Sequence, residues 1–213
     1  MKKSFCRAGG IEFLWPWIMK RHFFSLLLTI LVLTGYAQQP DSSFRIRLDS
    51  FFHLNHLKDI DRVMDYTYPK LFTIVPREQM LEVMKNTLEN EEMTIALDSL
   101  KLLKTWPMLE LPEGSFVQME YSMLMRMQFK QMDSTFTPDK METISSLLEM
   151  KYGAGNTRYD SVTRQILIHI NSPLLAIKDE LSPQWTFMNY LKDDPIAPML
   201  LSQDIIDKLS KQQ

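Results

Sequence analysis

The stretch SFVQMEYSMLMRMQFK, Ser115 to Lys130, limits the fold more than any other part of the chain. Val117, Met119, Tyr121, Met123, Met125, Met127 and Phe129 fall on every second residue, and the positions between them are mostly Gln, Glu, Ser, Arg and Lys. A period of two marks a strand with one face toward a core and the other toward water. At about 3.3 Å per residue, roughly fourteen residues make a ribbon about 45 Å long. A strand of that length bends, and its apolar face must be covered by helices or line a cavity. Methionine is unbranched and polarizable, so it fills irregular space and adapts to varied partners. The face therefore suits either the chain's own helices or a bound apolar molecule. Met119, Tyr121, Met123, Met125 and Met127 are the candidate ligand-binding residues. A buried Tyr121 needs a hydrogen-bond partner, most commonly a backbone carbonyl.

The rest of the pattern alternates between helical and extended blocks. Phe44 to Tyr66 carries apolar residues at three- and four-residue steps, with Asn55 to Asp59 as a tight corner between two helices. Pro69 ends that run, because the residue before proline avoids helical angles. A further helix is expected from Pro76, at its first position, to about Asn90. Met93, Ile95 and Leu97 alternate as a strand. Leu100 to Leu111 is a less regular extended stretch broken by Trp106-Pro107, which points to an edge or a bulge. Pro112-Glu113-Gly114-Ser115 reads as a turn, so residues 100–130 form a hairpin. Thr137-Pro138-Asp139 starts a helix that ends near Tyr152, with Gly153 beyond it. Arg158 to Asn171 reads as two short strands, with Ile166, Ile168 and Ile170 on one face and Leu167 and His169 on the other. Trp185 to Tyr190 is a last strand, and Ser202 to Ser210 a closing helix. Consecutive hairpins with grouped helices predict an α+β fold with an antiparallel sheet.

The front end is set apart. Lys20-Arg21-His22 precedes the apolar run Phe23 to Leu33, and Gly35 and Ala37 occupy the −3 and −1 positions of a cut after Ala37. These are the three regions of a secretory signal over residues 1–37, leaving residues 38–213 as one α+β domain; an uncleaved anchor is the alternative. The run is shorter than the roughly 20 apolar residues of a permanent span, so no membrane span is expected after cleavage. Cys6, the sole cysteine, precedes the run. The exported chain would hold none, which excludes disulfides, zinc–thiolate sites and thiol catalysis and fits a periplasmic or extracellular location. Removing five basic residues (Lys2, Lys3, Arg7, Lys20, Arg21) and Glu12 leaves 19 basic against 25 acidic residues, a net charge of −6. An acidic chain without a basic run is unsuited to nucleic acid.

The segment FFHLNHLKDIDRVMDYTYP, Phe51 to Pro69, resembles the opening of nuclear transport factor 2-like (NTF2-like) domains: an amphipathic helix, a short break containing Asp59 and Asp61, a second helix and a proline. The long strand at 116–130, the helix at 138–152 and Trp185-Thr186-Phe187 continue a compatible order over about residues 44–192. MDYTYPKLFTIVP and WTFMNY are also similar to segments of uncharacterised exported proteins of Bacteroidetes-type bacteria. The resemblance implies an NTF2-like or cystatin-like cone, in which N-terminal helices and a curved antiparallel sheet enclose a cavity. Members include enzymes, binding modules and dimers, so the fold leaves function open.

Chemistry must come from few residues. His53 and His56 are neighbours on one helix face, but no third ligand is placed for a metal, so neither metal nor cofactor is expected. His169 with Asp61 or Asp65 would resemble the Asp–His general-base pairs of cone-fold lyases and isomerases; a structural histidine is the alternative. Lys101, Lys104 and Arg126 read as solvated charges, and Trp106 and Trp185 as core or edge anchors. No nucleophile elbow, phosphate loop or dinucleotide fingerprint occurs. Three functions follow: an exported, non-catalytic domain that binds a small apolar ligand or a protein partner; a lyase or isomerase using His169; and a homodimer that pairs through its sheet. Met19 directly precedes the basic patch and is the expected translation start. N-terminal sequencing of the unprocessed precursor should begin there, and a peptide covering Phe13 to Trp17 contradicts it.

Overall fold

A computed structural model of the chain describes residues 40–130, 137–191 and 194–212. The segment read as a secretory signal lies outside the described residues. In chain order the helices before the sheet are α1 (Ser42–Leu57), α2 (Ile60–Val63) and α3 (Arg77–Leu88), with 3₁₀ turns at Met64–Tyr66 and Pro69–Thr73. The strands and later helices are β1 (Met93–Thr105), β2 (Leu109–Leu111), β3 (Gly114–Phe129), α4 (Pro138–Tyr152), β4 (Thr157–Asp160), β5 (Gln165–Asp179), β6 (Thr186–Asn189), α5 (Ala197–Leu200) and α6 (Gln203–Ser210). No helix among the described residues is long and apolar enough to cross a membrane.

The fold is α+β, built on a curved, six-stranded antiparallel sheet ordered β1-β3-β5-β4, with β2 added to β3 and β6 to β5. β3 and β5 are paired without interruption from Gly114 opposite Asp179 to Gln128 opposite Gln165. This register places every odd residue of β3 on the same face as the even residues of β5. The inner face thus carries Val117, Met119, Tyr121, Met123 and Met125 beside Ala176, Leu174, Ser172, Ile170 and Ile168. The outer face carries Phe116 beside Ile177 at one end and Leu124 beside His169 toward the other.

Helices cover the two faces unequally. Phe44, Leu48 and Phe52 of α1 pack on Val117, Met119, Leu174 and Ala176. Farther along the inner face, Leu54, Ile60, Val63, Met64, Leu88 and Met141 pack on Ile95, Met125, Ile166 and Ile168. On the outer face the helices among the described residues cover one end. There Ala197, Leu200, Ile205 and Leu209 of α5 and α6 pack on Phe116, Leu175, Ile177 and Met188.

Several elements follow from local chemistry. The corner after α1 forms because Lys58 adopts a left-handed conformation at φ 56° and Asp59 then caps α2 by accepting from Arg62 N. Thr137 caps α4 and Gly153 ends it at φ 98°, as the sequence predicts. Pro76 stands one position earlier than expected, as the N-cap of α3.

Two strand assignments differ from the sequence reading. The alternating block at Met93 and the irregular block after Leu100 are one edge strand, β1, joined through register shifts between Asp98 and Lys101 and between Leu102 and Lys104. Such bulges bend a strand and raise its twist. β5 continues past Asn171 to Asp179, through Pro173. Its second edge pairs with β4 only as far as Ile168 and with β6 only from Leu174. Pro173 falls in that gap, where a missing N–H is tolerated.

The N-terminus of α1 is tied to the end of β5 and the segment leading into β6 by Asp41. Its carboxylate accepts from Phe44 N at 3.0 Å and Trp185 Nε1 at 3.2 Å, and faces Lys178 Nζ at 3.3 Å. Arg47 of α1 adds bonds to the Trp185 carbonyl and the Gln184 side chain and lies over the Tyr66 ring, 4.2 Å from its centroid. The Ser43 hydroxyl, then Phe44 N, Trp185 and Lys178, hold the Asp41 carboxyl well below the usual carboxylate range.

The contribution of a carboxylate with a lowered folded pKa is complete above its unfolded value, near about pH 4, and is lost as pH falls toward the folded value. Asp41→Ala is therefore expected to cost about 1 kcal/mol near pH 7 through loss of the cap. The difference from wild type should shrink as urea unfolding is repeated toward about pH 3, and a gap that is constant or grows on acidification contradicts the assignment. Gly114, at φ 148°, leaves no room for a side chain: a Cβ there would lie 2.6 Å from the Lys178 carbonyl oxygen. Gly114→Ala is expected to destabilise by about 1–3 kcal/mol in the same assay, and a neutral change contradicts the close approach of β3 to β5.

Candidate functional site

The long ribbon is not packed alike along its length. Met119 is 1% exposed and sealed under α1. Met125 is buried between Met141, Ile60 and the isoleucines of β5, and Met127 packs at the margin of the same cluster. Between these blocks the helical cover opens. A cavity of about 400 Å³ lies there, bounded by Tyr121 and Met123 of β3, Leu174 of β5, Phe51 and Asn55 of α1, and Met80 and Met84 of α3. Phe187 of β6 closes one side, its ring stacked on Phe51 with centroids 4.9 Å apart. Two lining residues, Asn189 and Ile196, are exposed and mark the side where the cavity meets solvent.

The opening has a local cause. α1 ends at Leu57, the chain turns at Lys58, and two 3₁₀ turns follow before α3 begins at Arg77. Val63, Thr67 and Leu71 from this irregular segment form the roof instead of a continuous helix. A 3₁₀ turn presents side chains at a different spacing from an α-helix and covers a smooth sheet less evenly. The flexible side chains Met80, Met84 and Met123 border the space that remains.

Tyr121 bridges the cavity and the core. Its ring lies against Phe52, centroids 5.4 Å apart, and its hydroxyl is hydrogen-bonded to Ser172, its register partner on β5. Burial raises the phenol pKa, and the Ser172 bond partly offsets that rise. The partner is thus a side-chain hydroxyl and not the backbone carbonyl expected from sequence.

Of the five ribbon residues singled out from the sequence, Tyr121 and Met123 line the cavity, while Met119, Met125 and Met127 do not. Phe51, Asn55, Phe187 and Asp194 complete the wall without having been singled out.

The histidines and aspartates are dispersed. His169 is exposed on the outer face of β5, opposite Leu124. Asp61 and Asp65 belong to the helical segment packed over the inner face, so the sheet stands between them and His169. Asp61 pairs with Lys85 at 2.6 Å and Asp65 with Arg77 at 2.8 Å. Among the described residues the His169 ring has no hydrogen bond or ion pair with a carboxylate. His56 Nδ1 faces Asp98 at 3.2 Å, whereas His53 lines a separate polar cleft with Arg47, Arg62 and Asp65. No group of three or more His, Cys, Asp or Glu residues is arranged to hold a metal ion among the described residues.

Of three charges read as solvated, two are more engaged. Arg126 donates to Asp98 across the β1–β3 pair, and Lys104 lies 4.1 Å from the centre of the Trp106 ring. Lys101 remains exposed on β1. Trp185 is buried, as expected of a core anchor, with its indole N–H on Asp41.

No protein-family model, curated protein or solved structure matches this chain.

Proposed function

We propose that this chain is an exported, non-catalytic binding domain of the NTF2-like or cystatin-like cone type, and that it holds a small apolar molecule in the cavity beside Tyr121 and Met123. The observation that carries the reading is the cavity itself: about 400 Å³, walled mainly by aromatic, thioether and aliphatic side chains, with a few polar groups. Ligand sites have this size and composition, roughly 300–1,000 Å³ and mostly apolar with a small number of placed polar groups. Methionines on the sheet and on α3 give the wall adaptable side chains.

Catalysis has less support. A general base must stand within hydrogen-bond reach of its substrate, yet among the described residues the cavity wall contains no histidine, and His169 lies on the opposite face of the sheet. The surface salt bridges of Asp61 and Asp65 leave these carboxylates committed outside the cavity.

The test uses N-phenylnaphthylamine, an uncharged apolar fluorophore, titrated into the purified chain. Saturable binding at one site is expected. Met123→Trp and Met84→Trp fill the space from opposite walls, and each should weaken binding by at least about tenfold while thermal unfolding stays cooperative. Absence of saturable binding, or equal binding by both folded variants, contradicts the proposal.

A further inference from the structure

We propose that the natural ligand of this cavity ends in a hydrogen-bond donor, a hydroxyl or an amine, and carries no negative charge; the inference rests on the binding function proposed above. Its basis is the balance of polar groups in the wall. Asn55 lines the cavity and is only 8% exposed. Its Nδ2 donates to the Phe51 carbonyl at 2.8 Å. That bond fixes the amide orientation, because only the nitrogen can donate. Asn55 Oδ1 then has no hydrogen-bond partner among the described residues. An acceptor held in an apolar wall without a partner is costly unless something donates to it.

The neighbouring groups point the same way. Thr67 spends its hydroxyl proton on the Val63 carbonyl at 3.1 Å, so toward the cavity its oxygen can only accept. Asp194 takes the Ile196 N–H on Oδ1 at 2.9 Å, and its second oxygen is a further acceptor. The side-chain donors of the wall are the exposed Asn189 amide, the second N–H of Asn55 and the Tyr121 phenol, whose oxygen accepts from Ser172. Among the described residues the wall holds one carboxylate and no Lys, Arg or His. A ligand carboxylate would enter a mostly apolar space with no cation among the described residues, beside a like charge and the Asn55 carbonyl oxygen. Taking an unpaired charge out of water is strongly unfavourable. A hydroxyl satisfies Asn55 Oδ1, and an ammonium satisfies it and also pairs with Asp194.

The full chain, loaded with N-phenylnaphthylamine, is competed with four molecules sharing a ten-carbon tail: decan-1-ol, decyl methyl ether, decylamine and decanoate. The alcohol and the amine should displace the probe at concentrations about tenfold or more below the ether and decanoate, the ratio expected for one donated hydrogen bond. Asn55→Leu keeps the shape and removes the acceptor. It should bring alcohol and ether within about twofold of each other while the probe still binds. Asp194→Asn should weaken decylamine selectively. The ranking on the unaltered chain decides the matter even if Asn55→Leu does not fold. Decanoate or the ether competing as well as the alcohol overturns the head-group inference and leaves the apolar site standing. Failure of the probe itself to bind overturns both.

Discussion

The uninterrupted ladder between β3 and β5 is the constraint on which the rest depends. Because every residue from Gly114 to Gln128 is paired, the two faces of the sheet are fixed along its whole length. A slip of one residue between the two strands would put the methionines of β3 and the isoleucines of β5 on opposite faces. With the register held, α1 can only pack on Val117, Met119, Leu174 and Ala176, and α5 and α6 only on Phe116, Leu175 and Ile177. Asp41 and Arg47 then lock the start of α1 to the segment leading into β6. The cavity is what remains when a rigid sheet is covered by helices interrupted at Lys58 and Thr67.

This division explains why methionine recurs on one face yet serves two ends. A fully buried Met side chain contributes about 1.5–3 kcal/mol through removal from water, and Met119 and Met125 are placed to deliver that. Met123 is half-buried at the cavity wall and forgoes part of it. Natural interiors leave few voids larger than a water molecule. A space of about 400 Å³ bordered by the flexible thioethers of Met80, Met84 and Met123 belongs to a surface that can reshape around an occupant.

Much of this architecture is legible in the sequence where one period dominates. The alternation over Val117 to Phe129 fixes a strand, and Thr137-Pro138 with Gly153 fixes both ends of α4. The second half of β5 is hidden because Leu174, Leu175, Ala176 and Ile177 are apolar on both faces, one under α1 and one under α5 and α6. A strand buried on two sides shows no alternation, and Pro173 reads locally as a terminator. The continuity of β1 is hidden by its bulges, which break the period at Ser99 and Leu103. The candidate site is legible only in part. Tyr121 and Met123 belong to the visible stripe, but which members of a stripe face a cavity depends on helices distant in sequence. Phe51, Met84 and Phe187 look like ordinary core residues until the register brings them together. Asn55 carries the one available signal, an amide at an apolar helical position, and it reads equally well as part of a helix corner.

The most direct measurement is a set of methionine methyl spectra recorded while the chain is titrated with an apolar probe. If the inner face is a core at both ends and a binding wall between, the methyl signals of Met80, Met84 and Met123 shift together, and those of Met119, Met125 and Met141 hold still. Uniform movement of all the methyls, or movement confined to Met119 and Met125, contradicts the division of the ribbon into core and cavity.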